Sequence, residues 1–140
     1  MTTTEQFAPW NLDWLLQDLA KSVPQTRHVV VVTADGLCKA KWNTDQETAE
    51  RIAAGCSGVR SLAAALSEEL PPHEDRRLRM AAIELPAGFI FVMDASEGSH
   101  LAVLTDRGVD TGLIAHRMRD LVVRLGEHLK SKPRTDGRPG

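Results

Sequence analysis

Little in this chain is suited to covalent or metal chemistry. Its 140 residues include only two cysteines, Cys38 and Cys56, far apart and in no CxxC arrangement. That excludes a disulfide framework and suits a reducing cytosol, so a cytoplasmic location is expected. The five histidines, His28, His73, His100, His116 and His128, stand in no recognised metal-ligand motif. GxxxxGK[ST] and GxGxxG are both missing, so no backbone cradle for nucleotide phosphates is expected. There is no Gly-x-Ser-x-Gly elbow either; the GCSG run at 55–58 echoes one weakly and on the wrong kind of element. A formal net charge of −2 gives no broad electrostatic footprint for nucleic acid. No apolar run approaches the roughly 18 residues of a membrane span. The opening MTTTEQFAPW lacks the basic-then-apolar pattern of a secretory leader. No catalytic residue, cofactor or metal ligand is therefore expected.

What is present organises around one stretch, Thr44 to Leu70. Ala49, Ile52, Ala53, Cys56, Val59, Ala63, Leu66 and Leu70 recur at three- and four-residue steps, which predicts a long helix with one buried stripe. Thr44 or Asn43 is the expected cap, with Glu47 placed for a capping box on Thr44. Its centre, Ala53-Ala54-Gly55-Cys56-Ser57-Gly58, is made of small residues. Two glycines inside a helix cost roughly 1 kcal/mol each relative to alanine, and something must offset that. Close approach of a sheet, of a second helix, or of both would do so. The alternative is a helix kinked or split at Gly55–Gly58.

The remaining elements follow from periodicity. Residues 1–8 read as a flexible N-terminus and 9–129 as one domain. Leu12 to Ser22 reads as a packed helix, with Trp10, Trp14, Leu15 and Leu19 on its apolar side, Asn11 as cap and Pro24 as stop. Arg27 to Thr33 is too continuously β-branched for a half-exposed strand and is expected at the centre of a sheet. Ala34-Asp35-Gly36 supplies a hairpin turn. Leu37 to Trp42 then alternates, with Cys38, Ala40 and Trp42 on one face and Lys39 and Lys41 on the other, as an edge strand would. After Pro71-Pro72 come three strands: 77–85, with Leu78, Met80 and Ala82 on one face; 88–94; and 100–105. His28 and His100 begin two strands and are read as structural. Gly112 to Leu129 is the last helix, capped by Asp110 or Thr111, and 130–140 reads as a disordered basic tail.

In that order, the Val29–Thr33 strand, the Asp35-Gly36 turn, the helix AERIAAGCSGVRSLAAAL, the strand GFIFVMD and HLAVLT before a final helix resemble the roadblock/dynein light chain family. The similarity extends from about Leu12 to Leu129. It is greatest to bacterial single-domain members encoded beside a Ras-like GTPase and a sensor-kinase-like protein. The resemblance implies an α+β (layered α/β), profilin-like fold: a five-stranded antiparallel sheet with the long helix on one face and the N- and C-terminal helices on the other. It implies a homodimer joined through the long helix and the following strand into a ten-stranded sheet. The interface residues it implies are Ala49, Ile52, Ala53, Cys56, Ser57, Arg60, Ala64, Arg79, Met80 and Ala81. It further implies a non-enzymatic scaffold or regulator of a Ras-like small GTPase in bacterial signalling, with a sensor-kinase-like protein as a further partner. The competing expectation is a small-molecule sensor with a pocket against the sheet, for which His28, Thr33 and His100 are the polar candidates.

Overall fold

The computed structural model describes residues 12–95 and 98–131. Its elements are α1 (Asp13–Ser22), β1 (Thr26–Thr33), β2 (Cys38–Trp42), α2 (Gln46–Ser67), β3 (Ala81–Leu85), β4 (Gly88–Asp94), β5 (Ser99–Asp106) and α3 (Thr111–Ser131). The strands form one antiparallel sheet in the order β2-β1-β5-β4-β3. Two hairpin-linked units, β1-β2 and β3-β4-β5, are joined by α2, which carries the chain from one edge of the sheet to the other. The expectations for residues 1–11, Trp10 and Asn11 among them, and for 132–140 lie outside the described residues. Helix α3 runs through Lys130, where the tail was expected to begin.

β1 is covered on both faces, as its β-branched run requires. Val29 and Val31 join the cluster under α1 and α3, with Leu15, Leu16, Leu19, Ile114, Met118, Leu121 and Leu125. Val30 and Val32 join the smaller cluster under α2, with Ala53, Cys56, Val92 and Ala102. The small side chains of α2 let its backbone lie close to the sheet. The helix is continuous through Gly55 and Gly58, so it is not split there.

Several local expectations are corrected. The cap of α2 is Asp45, whose Oδ1 accepts from Thr48 N–H at 2.7 Å. Thr44 instead donates its hydroxyl to the Trp42 carbonyl. Asp110, not Thr111, caps α3, accepting from Leu113 N–H at 3.0 Å. Cys38 does not share a face with Ala40 and Trp42. A bulge opposite Val31/Val32 inserts one residue into β2, and that shift turns Cys38 toward α2 while Ala40 and Trp42 stay on the other side. β3 begins at Ala81 rather than Arg77, because Asp94 holds Leu78 out of regular pairing. Leu78 consequently falls on the α2 side with Ala81, whereas Met80 packs under the terminal helices.

Two glycines are required by geometry. Gly36 closes the β1–β2 turn at φ +89°, a conformation L side chains rarely adopt. Gly88 starts β4 so close to β5 that an added Cβ would lie 1.9 Å from the Thr105 carbonyl oxygen.

Candidate interaction surface

The sheet has two edges, and they are unlike. On β2 the Lys41 N–H is capped by the Asp13 carboxylate of α1 at 3.1 Å, and the bulge distorts the strand beside it. β3 pairs only with β4 among the described residues, and from Ala82 to Leu85 it is exposed throughout. Ala81 belongs to the α2-side cluster, and strand alternation places Ile83 and Leu85 on that same face, where they are 38% and 47% exposed. α2 lies mainly over β1, β2 and β5 and reaches β4 at the buried Val92, so β3 is the strand left largely uncovered on this face.

α2 itself divides in two. Its first half is anchored by Ala49, Ala53 and Cys56, all buried, with Ile52 and Val59 packed beside them. Beyond Arg60 only Ala63 is half-buried. Leu62 and Leu66 are 61% and 58% exposed, and Leu70, just past the helix, also faces outward. Leu66 and Leu70 were expected in the buried stripe; among the described residues nothing covers them. Gly55 and Gly58 point away from the sheet, and a Cβ on either would meet nothing within 4 Å.

The interface residues drawn from the sequence therefore separate by burial. Ala49, Ala53 and Cys56 are buried against their own sheet and form the backing of the surface, not its outer face. Ile52 and Met80 are half-buried in the two clusters, and Ala81 is half-buried at the start of β3. Ser57, Ala64 and Arg79 are exposed, and Arg60 is paired with Asp94. Leu62, Ile83 and Leu85 were missed. The i, i+3, i+7 spacing of Gly55, Gly58 and Leu62 around a second helical face was the available signal.

No arrangement for nucleophilic or metal chemistry accompanies this surface. Burial pushes the Cys56 thiol up to about 11 and raises the Cys38 thiol as well, so both are held protonated and inert at neutral pH. No cluster of three or more metal-ligating side chains occurs among the described residues. No helix among them is long and apolar enough to cross a membrane. The polar candidates for a ligand pocket do not converge. His28 and Thr33 sit at opposite ends of β1, the one bonded to the Asn43 carbonyl and the other to Asp35, and His100 pairs with Asp94. A groove of about 350 Å³ lies between α1 and α3 and not against the sheet; Asp18, Arg117, Asp120 and Arg124 are among its lining residues.

A five-stranded antiparallel sheet with one helix on one face and two on the other is the profilin-like class of α+β fold. Profilin II of Acanthamoeba castellanii shares it at TM-score 0.58 and 12% identity, over 84% of this chain and 97% of that one. The family model for the Roadblock/LC7 domain matches residues 12–105, and the chain belongs to that family. A Roadblock/LC7 domain from Streptomyces avermitilis is 32% identical at TM-score 0.79, covering 86% of this chain and 99% of that one. Myxococcus xanthus MglB has the same fold at TM-score 0.73 and 16% identity, over 86% and 88% of the two chains. A comparison with curated protein sequences gives no match.

Proposed function

We propose that this chain is a homodimeric, non-enzymatic scaffold or regulator of a Ras-like small GTPase in a bacterial signalling system. The observation that carries the reading is the open β3 edge, flanked on one face by uncovered apolar side chains and by the unpacked end of α2. Monomeric proteins rarely leave a flat apolar edge strand unprotected. A second copy placed edge to edge would pair β3 with β3 and bring Ile83, Leu85, Leu62 and Leu66 out of water. Membership of the Roadblock/LC7 family supports the GTPase link, and the resemblance adds a sensor-kinase-like protein as a further partner. One MglB structure of this fold is described as a tetrameric arrangement, at TM-score 0.74 and 15% identity, which supports self-association.

Two measurements test the reading. Sedimentation of the purified chain should give twice the protomer mass. Ile83→Lys should weaken self-association by at least about thirtyfold, or about 2 kcal/mol, with the circular dichroism of the fold unchanged; an unaffected dimer would remove β3 from the interface. Titration against a Ras-like small GTPase from the same source, loaded with GDP or a GTP analogue, should give binding in at least one state. Binding in neither state would remove the functional reading.

A further inference from the structure

Asp94 closes the base of the segment that bears the exposed leucines. Its Oδ1 lies 3.1 Å from His100 Nδ1 on β5 and 3.1 Å from Arg60 Nε on α2. Its Oδ2 accepts from the Leu78 N–H at 2.9 Å, and its own N–H donates to the Leu78 carbonyl at 2.9 Å. One residue thus grips both ends of 61–77, the stretch containing Leu62, Leu66 and Leu70. Arg60 marks the end of the well-packed half of α2, and Leu78 is where the chain returns to the sheet ahead of β3.

The two side chains on Asp94 are not held alike. A carboxylate only accepts, so His100 Nδ1 carries a proton and donates it. The His100 side chain is 9% exposed. Arg60 approaches off the line of its N–H, leaving the buried Nε without an aligned acceptor, and a third of its side chain is exposed. Arg60 is therefore the partner that can leave. A second proton on His100 would set two full positive charges against one oxygen. The other charged groups nearby are on the connector: Arg77, which feels Asp94 as well as its own partner Asp75, and Arg79, 3.9 Å from Asp75. β1 presents only Val32 opposite His100, and the two thiols in the cluster under α2 are neutral.

We propose that Asp94, Arg60 and His100 form an acid-sensitive latch that positions the 61–77 segment and so sets the strength of self-association. It rests on the dimer reading above. With His100 neutral, Arg60 stays on Asp94 and the leucines are presented in a fixed geometry. Once His100 is doubly protonated, Arg60 is displaced and the end of α2 loosens. Asp94 and Arg60 act here as positioning residues.

Sedimentation equilibrium at pH 7.5 and 5.8 tests this, alongside protection factors for the amides of 61–67 from hydrogen exchange. The wild-type dimer should weaken at least about fivefold on acidification, the lower end of ordinary coupling between sites. His100→Gln keeps a donor for Asp94 but cannot gain charge, and should abolish the response. Arg60→Gln should begin weaker at pH 7.5 and respond little. An unchanged wild-type dissociation constant, or a full response retained in His100→Gln, overturns the latch. A chain that stays monomeric at both pH values refutes the dimer instead. In that case loss of 61–67 protection on acidification, absent in His100→Gln, supports the latch, and constant protection overturns it.

Discussion

Gly58→Leu changes stability in opposite directions depending on what faces α2. Among the described residues the added side chain meets nothing, since no heavy atom lies within 4 Å of a Cβ built there. Leucine is the better helix former, so an isolated protomer should gain about 0.7 kcal/mol. For a domain of this size that is a rise of about 2–3 °C in Tm. If a second helix lies against this face, the same side chain overpacks a close contact at about 1–3 kcal/mol. Twofold symmetry places the insertion in both protomers, doubling the penalty to about 2–6 kcal/mol per dimer. That weakens association by about thirtyfold to more than ten-thousandfold. Thermal melts over a dilution series, with sedimentation at each concentration, separate the two terms. The expected result is a variant that is monomeric where the wild type is dimeric, yet melts slightly higher when both are monomers. A variant that remains dimeric and melts higher at every concentration would show that the small-residue face touches nothing.

The other predictions concern the parts that hold the surface in place. Gly88→Ala drives a methyl group into the Thr105 backbone carbonyl, on the central strand, where neither neighbour can yield cheaply. A loss of about 3 kcal/mol, or roughly 10 °C in Tm, is expected by thermal melting, and a loss below about 1 kcal/mol would refute the close approach. Asp45→Ala removes the cap of α2 and should lower Tm at pH 7. The Thr48 backbone N–H holds the Asp45 carboxyl below its ordinary value. Its stabilisation is therefore present above the unfolded pKa and disappears as pH falls through the folded one. The melting difference between wild type and variant should accordingly narrow below about pH 4; a gap that stays constant into acid would argue against a charged cap.

The long-period features were legible in the sequence. A continuous Val29–Val32 run has one plausible environment, a strand covered on both faces, and the structure provides it. The stripes of α1, α2 and α3 are set by spacings that need no tertiary knowledge. What escaped depends on single insertions or on residues that meet only in space. The one-residue bulge in β2 carries no compositional mark, yet it reverses the facing of Cys38. Thr44 and Asp45 are both good caps, and the choice turns on whether the β2–α2 turn engages Thr44 elsewhere, as it does with Trp42 and His28. Asp94 gathers Arg60, Leu78 and His100 from a helix, a connector and a strand, a cluster with no spacing to read. Periodicity also cannot say which partner covers a stripe. It placed Leu66 with Cys56, although only Cys56 finds cover inside the chain.

The unlikeness of the two sheet edges limits what a second copy can do. Growth from β2 is blocked three ways: the Asp13 carboxylate occupies the Lys41 N–H, the bulge breaks the register, and Lys39 projects outward. Among the described residues β3 has neither a capping carboxylate nor a bulge; its one charge, Glu84, alternates to the opposite face from Ala81, Ile83 and Leu85, which share a face with the apolar end of α2. An edge that pairs with its own copy about a twofold axis is used up by that pairing. The extended sheet would then end on β2 at both sides, where further pairing is opposed. Edge-to-edge association should therefore stop at two chains instead of running on into a fibre. Any larger assembly, or any other partner, has to engage the helical faces, and the α1–α3 side of each protomer lies on the opposite face of the sheet from α2 and is not consumed when the β3 edges close.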